Sequence, residues 1–212
     1  MTLKIYGIAA SRTSRPLWVA QELGLDYQHI AQVYEGGGTR TPEFLALNLN
    51  GHIPVIDDDG IVVWESMACA LYLAERFQGP DALTLAAQNH AERAEILRWT
   101  FWVVTECEKD ALTFLMHRIA MPEERRKPAL AAQADRRLAQ VLHVLEQHLQ
   151  NRDYIAGQRF TVADICVASV LAWAQRADAL AACPRVAAWL ESCLIRPAQL
   201  QVRVMARNRV NI

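Results

Sequence analysis

Glu65 and Ser66 stand where a short apolar strand gives way to a helical pattern, and together they carry the groups needed to grip a zwitterion. Met67, Ala70, Leu71, Ala74 and Phe77 follow at helical spacing, so Ser66 opens the helix. A helix N-terminus has unsatisfied N–H groups and attracts anions. Ser66 and those N–H groups would hold a carboxylate while Glu65 pairs with an ammonium. Taken singly, Ser66 also suits a plain helix cap and Glu65 a solvated charge. A second recognition element lies just upstream, in Asn50-Gly51-His52-Ile53-Pro54-Val55-Ile56. Pro54 has no N–H for a ladder and belongs at a strand's first position or on an edge. If the Ile53–Pro54 bond is cis, Ile53 turns its N–H and C=O outward, where an extended peptide-like ligand can pair with both as an added strand. A trans bond leaves an ordinary edge proline.

The elements that must position these residues read as a β-α-β-α-β-β-α series. Leu3 to Gly7 form a first strand, Ser14 and Pro16 open a helix that ends at Gly24, and Tyr27, His29, Ala31 and Val33 alternate as a second, parallel strand. Gly36-Gly37-Gly38 reads as a flexible loop without the Lys-Ser/Thr partner of a phosphate loop. Thr41 to Leu45 start a short helix, and Asp57-Asp58-Asp59-Gly60 reverse the chain between two strands. After a linker over residues 78–84, helical periods run almost to the C-terminus. One helix is expected from Ala86 to about Ala120, stopping before Pro122 and about 50 Å long at about 1.5 Å per residue. Others run from Pro128 to Leu149, from Ile165 to about Arg176 and from Pro184 to Leu194, with a short segment after Pro197. Thr161-Val162-Ala163-Asp164 has capping-box spacing at the start of the third. The chain therefore divides into an α/β domain over 1–79 and an all-α helical bundle over 85–212.

Composition narrows the function classes. With 212 residues, 52% hydrophobic and 21% charged, the chain can bury a sizeable core, and a net charge of -1 offers nothing to nucleic acid or an anionic membrane. The longest apolar run, near Ile165 to Ala174, is about half of the roughly 20 residues a membrane helix needs. The strand-like Met1 to Tyr6 gives no secretion signal, and five scattered cysteines, an odd number without a Cys-x-x-Cys pair, fit a reducing cytoplasm. The six histidines show no metal-binding spacing.

Taken together, Asn50-Gly51-His52-Ile53-Pro54, Trp64-Glu65-Ser66, Tyr72-Leu73-Ala74 and the Phe160 to Asp164 capping box resemble the cytosolic glutathione transferases over nearly the whole chain. The resemblance implies a thioredoxin-like βαβαββα domain followed by a helical-bundle domain, with the tripeptide glutathione as co-substrate. It implies that Ile53 pairs with the cysteinyl backbone, that Glu65 and Ser66 hold the γ-glutamyl head, and that His52 faces the glycyl carboxylate. Ser11-Arg12-Thr13-Ser14-Arg15 resembles the Ser-x-x-Ser-Arg loop of serine-type, theta-like and bacterial members, which points to Ser11 at the sulfur, with Ser14 and Tyr6 as rivals. No cysteine occupies that loop, which argues against the thiol-transfer branch. By the same analogy the acceptor, a small hydrophobic electrophile, lies between Ala9, Ala10 and Arg12 on one side and Trp99, Trp102 and Glu106 on the other. A two-fold homodimer and a detoxification role are family expectations. A glutathione-dependent peroxidase or isomerase would share the thiolate site, and a non-catalytic ligand-binding or regulatory protein would share the fold. Leu49, Cys69 and the triple-glycine loop depart from the family pattern.

Overall fold

The computed structural model describes residues 2–77 and 84–207, so the linker expected over 78–84 lies, apart from Thr84, outside the described residues. In chain order the strands are β1 Leu3–Tyr6, β2 Tyr27–Ile30, β3 Val55–Asp58 and β4 Ile61–Trp64. The helices are α1 Ser14–Glu22, α2 Pro42–Leu47, α3 Ser66–Arg76, α4 His90–Trp102, α5 Glu108–Leu115, α6 Pro128–His148, α7 Val162–Leu171, α8 Asp178–Ala181, α9 Pro184–Leu194 and α10 Pro197–Arg207. They fall into two compact units, Met1–Ala86 with Arg196–Ile212, and Ala87–Ile195.

The first unit is a four-stranded mixed sheet in the order β2-β1-β3-β4, with β1 parallel to β2 and antiparallel to β3, and β3 antiparallel to β4. The β3–β4 reversal is tighter than the run of three aspartates suggests, because Asp57 and Asp58 remain in the ladder. Asp59 (φ 48°) and Gly60 (φ 96°) alone make the turn, both left-handed as a two-residue hairpin requires. Residues 35–40 are not the loop expected from three glycines. They wind into 3₁₀ turns because Gly36 (φ 63°) and Gly37 (φ 80°) accept left-handed backbone between them.

The domain division needs one correction: Arg196 and α10 belong with the sheet unit, not with the helical one. Arg196 Nε and Nη2 donate to Glu22 Oε1 and Oε2 at 2.7 and 2.8 Å, and Trp18 Nε1 donates to the same carboxylate at 3.0 Å. This bidentate pair at the end of α1 fixes where α10 begins.

In the helical unit every residue of α7 is buried. The capping box at its start is formed in full, and Asp164 has the larger role: it also accepts from Ile155 N–H and Trp189 Nε1, both at 2.9 Å. The helix expected from Ala86 instead starts at His90, where Asn89 Oδ1 caps Glu92 N–H at 2.9 Å. It is interrupted by π-helical turns at Val103–Cys107 and Met116–Ala120. Each inserts an extra residue and rotates the following face, which periodicity read at 3.6 residues per turn does not register.

Candidate active site

The N-terminus of α3 is built around a buried cation. Arg15, on α1, is 1% exposed, and its Nη1 donates to Ser66 Oγ at 2.7 Å. The Ser66 oxygen is thus held as an acceptor, and its own O–H is left to donate toward an incoming carboxylate. Helix dipole and guanidinium place positive potential at the same point. Glu65, immediately before the helix, has φ 69°, a left-handed conformation that costs a non-glycine residue of order 1–3 kcal/mol and clusters at ligand sites. Its carboxylate is exposed. Arg15 is a residue that helical periodicity alone would place on a solvated face.

The second anchor is the loop before β3. The Ile53–Pro54 bond is cis, and among the described residues no hydrogen bond engages the Ile53 N–H or C=O. Asn48, buried, shapes this loop: its Nδ2 donates to His52 O at 2.8 Å and its Oδ1 accepts from Asn50 N–H at 3.0 Å. Gly51 (φ 61°) is packed so closely that a Cβ would lie 2.7 Å from Arg40 Nη1 and 2.9 Å from Thr39 O. Arg40 Nη1 donates to Asn50 O at 3.2 Å, so an exposed guanidinium stands beside this loop, where His52 is also exposed. Arg40 carries no sequence signal, because its contact depends on a fold-back over ten residues, whereas the bonds of Asn48 are local, to residues two and four positions on.

Ser11 sits in the turn between β1 and α1. Its Oγ donates to Ile8 O at 2.7 Å, accepts from Thr13 N–H at 3.1 Å and lies 3.0 Å from Thr13 Oγ1. Gly7 (φ 133°) underlies this turn, since a Cβ there would collide with Thr13 Oγ1 and approach Ile53 Cβ at 3.1 Å. The same glycine therefore touches the hydroxyl turn and the cis-proline loop. Ser14 is the first residue of α1, and Tyr6 lies within β1 with its ring edge-on to Phe44 at 6.5 Å, packed as a strand residue.

The residues named for the acceptor divide between the units. Ala10 and Arg12 are exposed in the first; Trp102 ends α4, and Glu106 is exposed on the first π turn. Trp102 meets Trp99 edge-on at 5.0 Å and, with Arg98, Val144, Gln147 and His148, lines a cleft of about 420 Å³. His148 Nε2 bonds Ile155 O at 2.8 Å, so this nitrogen carries the proton. Burial holds the His148 pKa below its ordinary 6.5. The unfolded chain then binds the extra proton first, so His148's contribution to stability is complete above about pH 6.5 and is lost as pH falls toward the lower folded value. Thermal melts across pH 5–8 are expected to show this decline and His148→Gln to flatten it; parallel curves would refute it.

All five cysteines are buried, and burial pushes the Cys69 and Cys107 thiols up to about 12, so neither competes as a thiolate. Among the described residues there is no cluster of three or more metal-ligating side chains, and no helix is long and apolar enough to cross a membrane.

The sheet unit thus combines a mixed four-stranded sheet, a cis-proline loop and a cation-backed helix N-terminus, and a helical unit follows it in the chain. The family model for the glutathione S-transferase N-terminal domain matches residues 1–75, and that for the C-terminal domain matches residues 107–197. Glutathione S-transferase 3 of Zea mays is 32% identical over 206 residues, covering 92% of this chain and 90% of its own. The disulfide-bond oxidoreductase YfcG of Escherichia coli (strain K12) is 32% identical over 195 residues, covering 88% and 87%. The theta class glutathione S-transferase of Xanthomonas axonopodis pv. citri, solved with glutathione bound, superposes with a TM-score of 0.80 at 29% identity, over 94% of this chain and 95% of that one. The chain belongs to the cytosolic glutathione S-transferase family of enzymes.

Proposed function

We propose that the protein conjugates glutathione to small hydrophobic electrophiles. The observation that carries this reading is the Arg15–Ser66 bond at the N-terminus of α3, beside the exposed Glu65. An α-carboxylate would accept from the Ser66 hydroxyl and the α3 N–H groups, and Glu65 would take the α-ammonium. Ile53 would pair with the cysteinyl backbone, and Arg40 with His52 would face the glycyl carboxylate. A thiol of ordinary pKa near 8.5 is only a few per cent ionised at pH 7, and Ser11, donating to sulfur, would shift that balance to thiolate. The sulfur lone pair then forms the S–C bond while the leaving group departs with its electron pair. In an addition, the neighbouring carbon takes a proton from solvent instead. Ala10, Arg12, Trp102 and Glu106 are the residues we assign to the electrophile.

The edge strand β4 exposes Ile61, Val62 and Trp64, and α4 exposes Phe101, which supports a homodimer that covers them. Five buried thiols suit a reducing cytoplasm.

Calorimetric titration with glutathione tests the reading. The parent is expected to bind in the micromolar to millimolar range, and Glu65→Ala about tenfold more weakly, since it loses one charge-assisted contact at an exposed position. No heat at millimolar glutathione would overturn the proposal and leave a non-catalytic scaffold.

A further inference from the structure

We propose that Thr13 is a positioning residue that polarises the Ser11 hydroxyl toward the bound sulfur, an inference that rests on Ser11 being the sulfur-side group. Thr13 occupies the N-cap position of α1, where a threonine hydroxyl ordinarily caps an N–H of the first turn. Here it makes no such bond. Its side chain turns back instead, with Oγ1 3.0 Å from Ser11 Oγ, while its backbone N–H donates to the same oxygen at 3.1 Å.

The direction of the hydroxyl–hydroxyl bond follows from counting protons. Ser11 has one O–H, and it is committed to Ile8 O at 2.7 Å, since a carbonyl can only accept. Thr13 is therefore the donor to Ser11. The Ser11 oxygen receives two hydrogen bonds from one residue, and each bond accepted makes its own O–H a stronger donor. When the proton swings from Ile8 O to a thiolate, both Thr13 bonds can persist and keep the oxygen in place. Ile8 O retains the Ser11 N–H at 3.0 Å, so the swing leaves no carbonyl bare.

Two further observations fit a device rather than a filler. Thr13 is wholly buried, so it cannot touch a ligand and acts only through Ser11. Gly7 supplies the room, because any side chain at its position would strike Thr13 Oγ1.

The test measures the bound-thiol pKa by thiolate absorbance, together with kcat and KM for glutathione, in the parent, Thr13→Val, Thr13→Ser and Ser11→Ala. Thr13→Val keeps shape and backbone N–H and deletes only the hydroxyl. It is expected to raise the bound-thiol pKa by roughly half a unit to one unit and to lower kcat below that pKa about three- to tenfold. KM for glutathione should stay within about twofold, and the kcat gap should close at pH above the thiol pKa. Thr13→Ser is expected to return the titration toward the parent. If Thr13→Val does not fold, Thr13→Ala against Thr13→Ser makes the same comparison. A Thr13→Val titration matching the parent while that of Ser11→Ala moves would overturn the inference alone. A Ser11→Ala titration matching the parent would overturn the sulfur role of Ser11 and the inference with it.

Discussion

Ser11→Ala is expected to raise the pKa of bound glutathione thiol by about two units and to cut kcat/KM about fiftyfold near pH 6.5, approaching about a hundredfold at lower pH. On the proposed role, the hydroxyl would donate to sulfur close to the N-terminus of α1 and favour the charged form of the thiol, so its removal would return the thiol toward the ordinary value near 8.5. The loss is a loss of ionisation, which gives it a pH signature. Below both pKa values the two enzymes differ by the full factor. As pH rises past about 8.5 both thiols ionise, and the gap closes. It should even reverse slightly, because a thiolate of higher pKa is the stronger nucleophile. The variant keeps Ser11 N–H on Ile8 O but leaves Thr13 N–H without its oxygen acceptor, a stability cost of about 1 kcal/mol that a melt separates from the kinetic effect. Parallel pH–rate profiles, offset by a constant factor, would mean that Ser11 positions the peptide and does not ionise it.

Asp164→Ala is expected to cost about 4 kcal/mol, enough to unfold much of the helical unit at physiological temperature. The carboxylate is fully buried and accepts from Thr161 N–H at 2.8 Å, Thr161 Oγ1 at 3.2 Å, Ile155 N–H at 2.9 Å and Trp189 Nε1 at 2.9 Å. Alanine strands four donors in a site without water access and opens a small cavity beside α7. Asp164→Asn is no remedy, since its amide nitrogen would face a donor in place of one acceptor oxygen. It should fall between parent and alanine. Denaturant unfolding gives the comparison, and an alanine variant within about 1 kcal/mol of the parent would show that the donors find other partners.

Asp164 was legible in the sequence for a reason that local chemistry supplies in full. Thr161 and Asp164 are three residues apart, and a capping box needs nothing beyond that spacing. The Trp189 bond, spanning 25 residues, turned a cap into a junction between helices, and no spacing rule announces it. Ser11 is proposed at the sulfur only because its loop resembles that of a family. Its actual surroundings depend on a threonine that declines its capping bond and a glycine that lets it do so.

The sequence by itself determined the local events: the hairpin around Asp59-Gly60, the start of α3 at Ser66, the capping box, and the order of strands and helices. Each is decided by backbone propensity and hydrogen bonds within a few residues. Tertiary structure alone decided that Ile53–Pro54 is cis, since a proline permits either form. It also decided that α10 joins the sheet unit and that Arg15, 51 residues from Ser66, lies buried beneath it. Those outcomes are set by which surfaces close on one another, and a charged side chain such as Arg15 can be buried only where the packed fold brings it a partner.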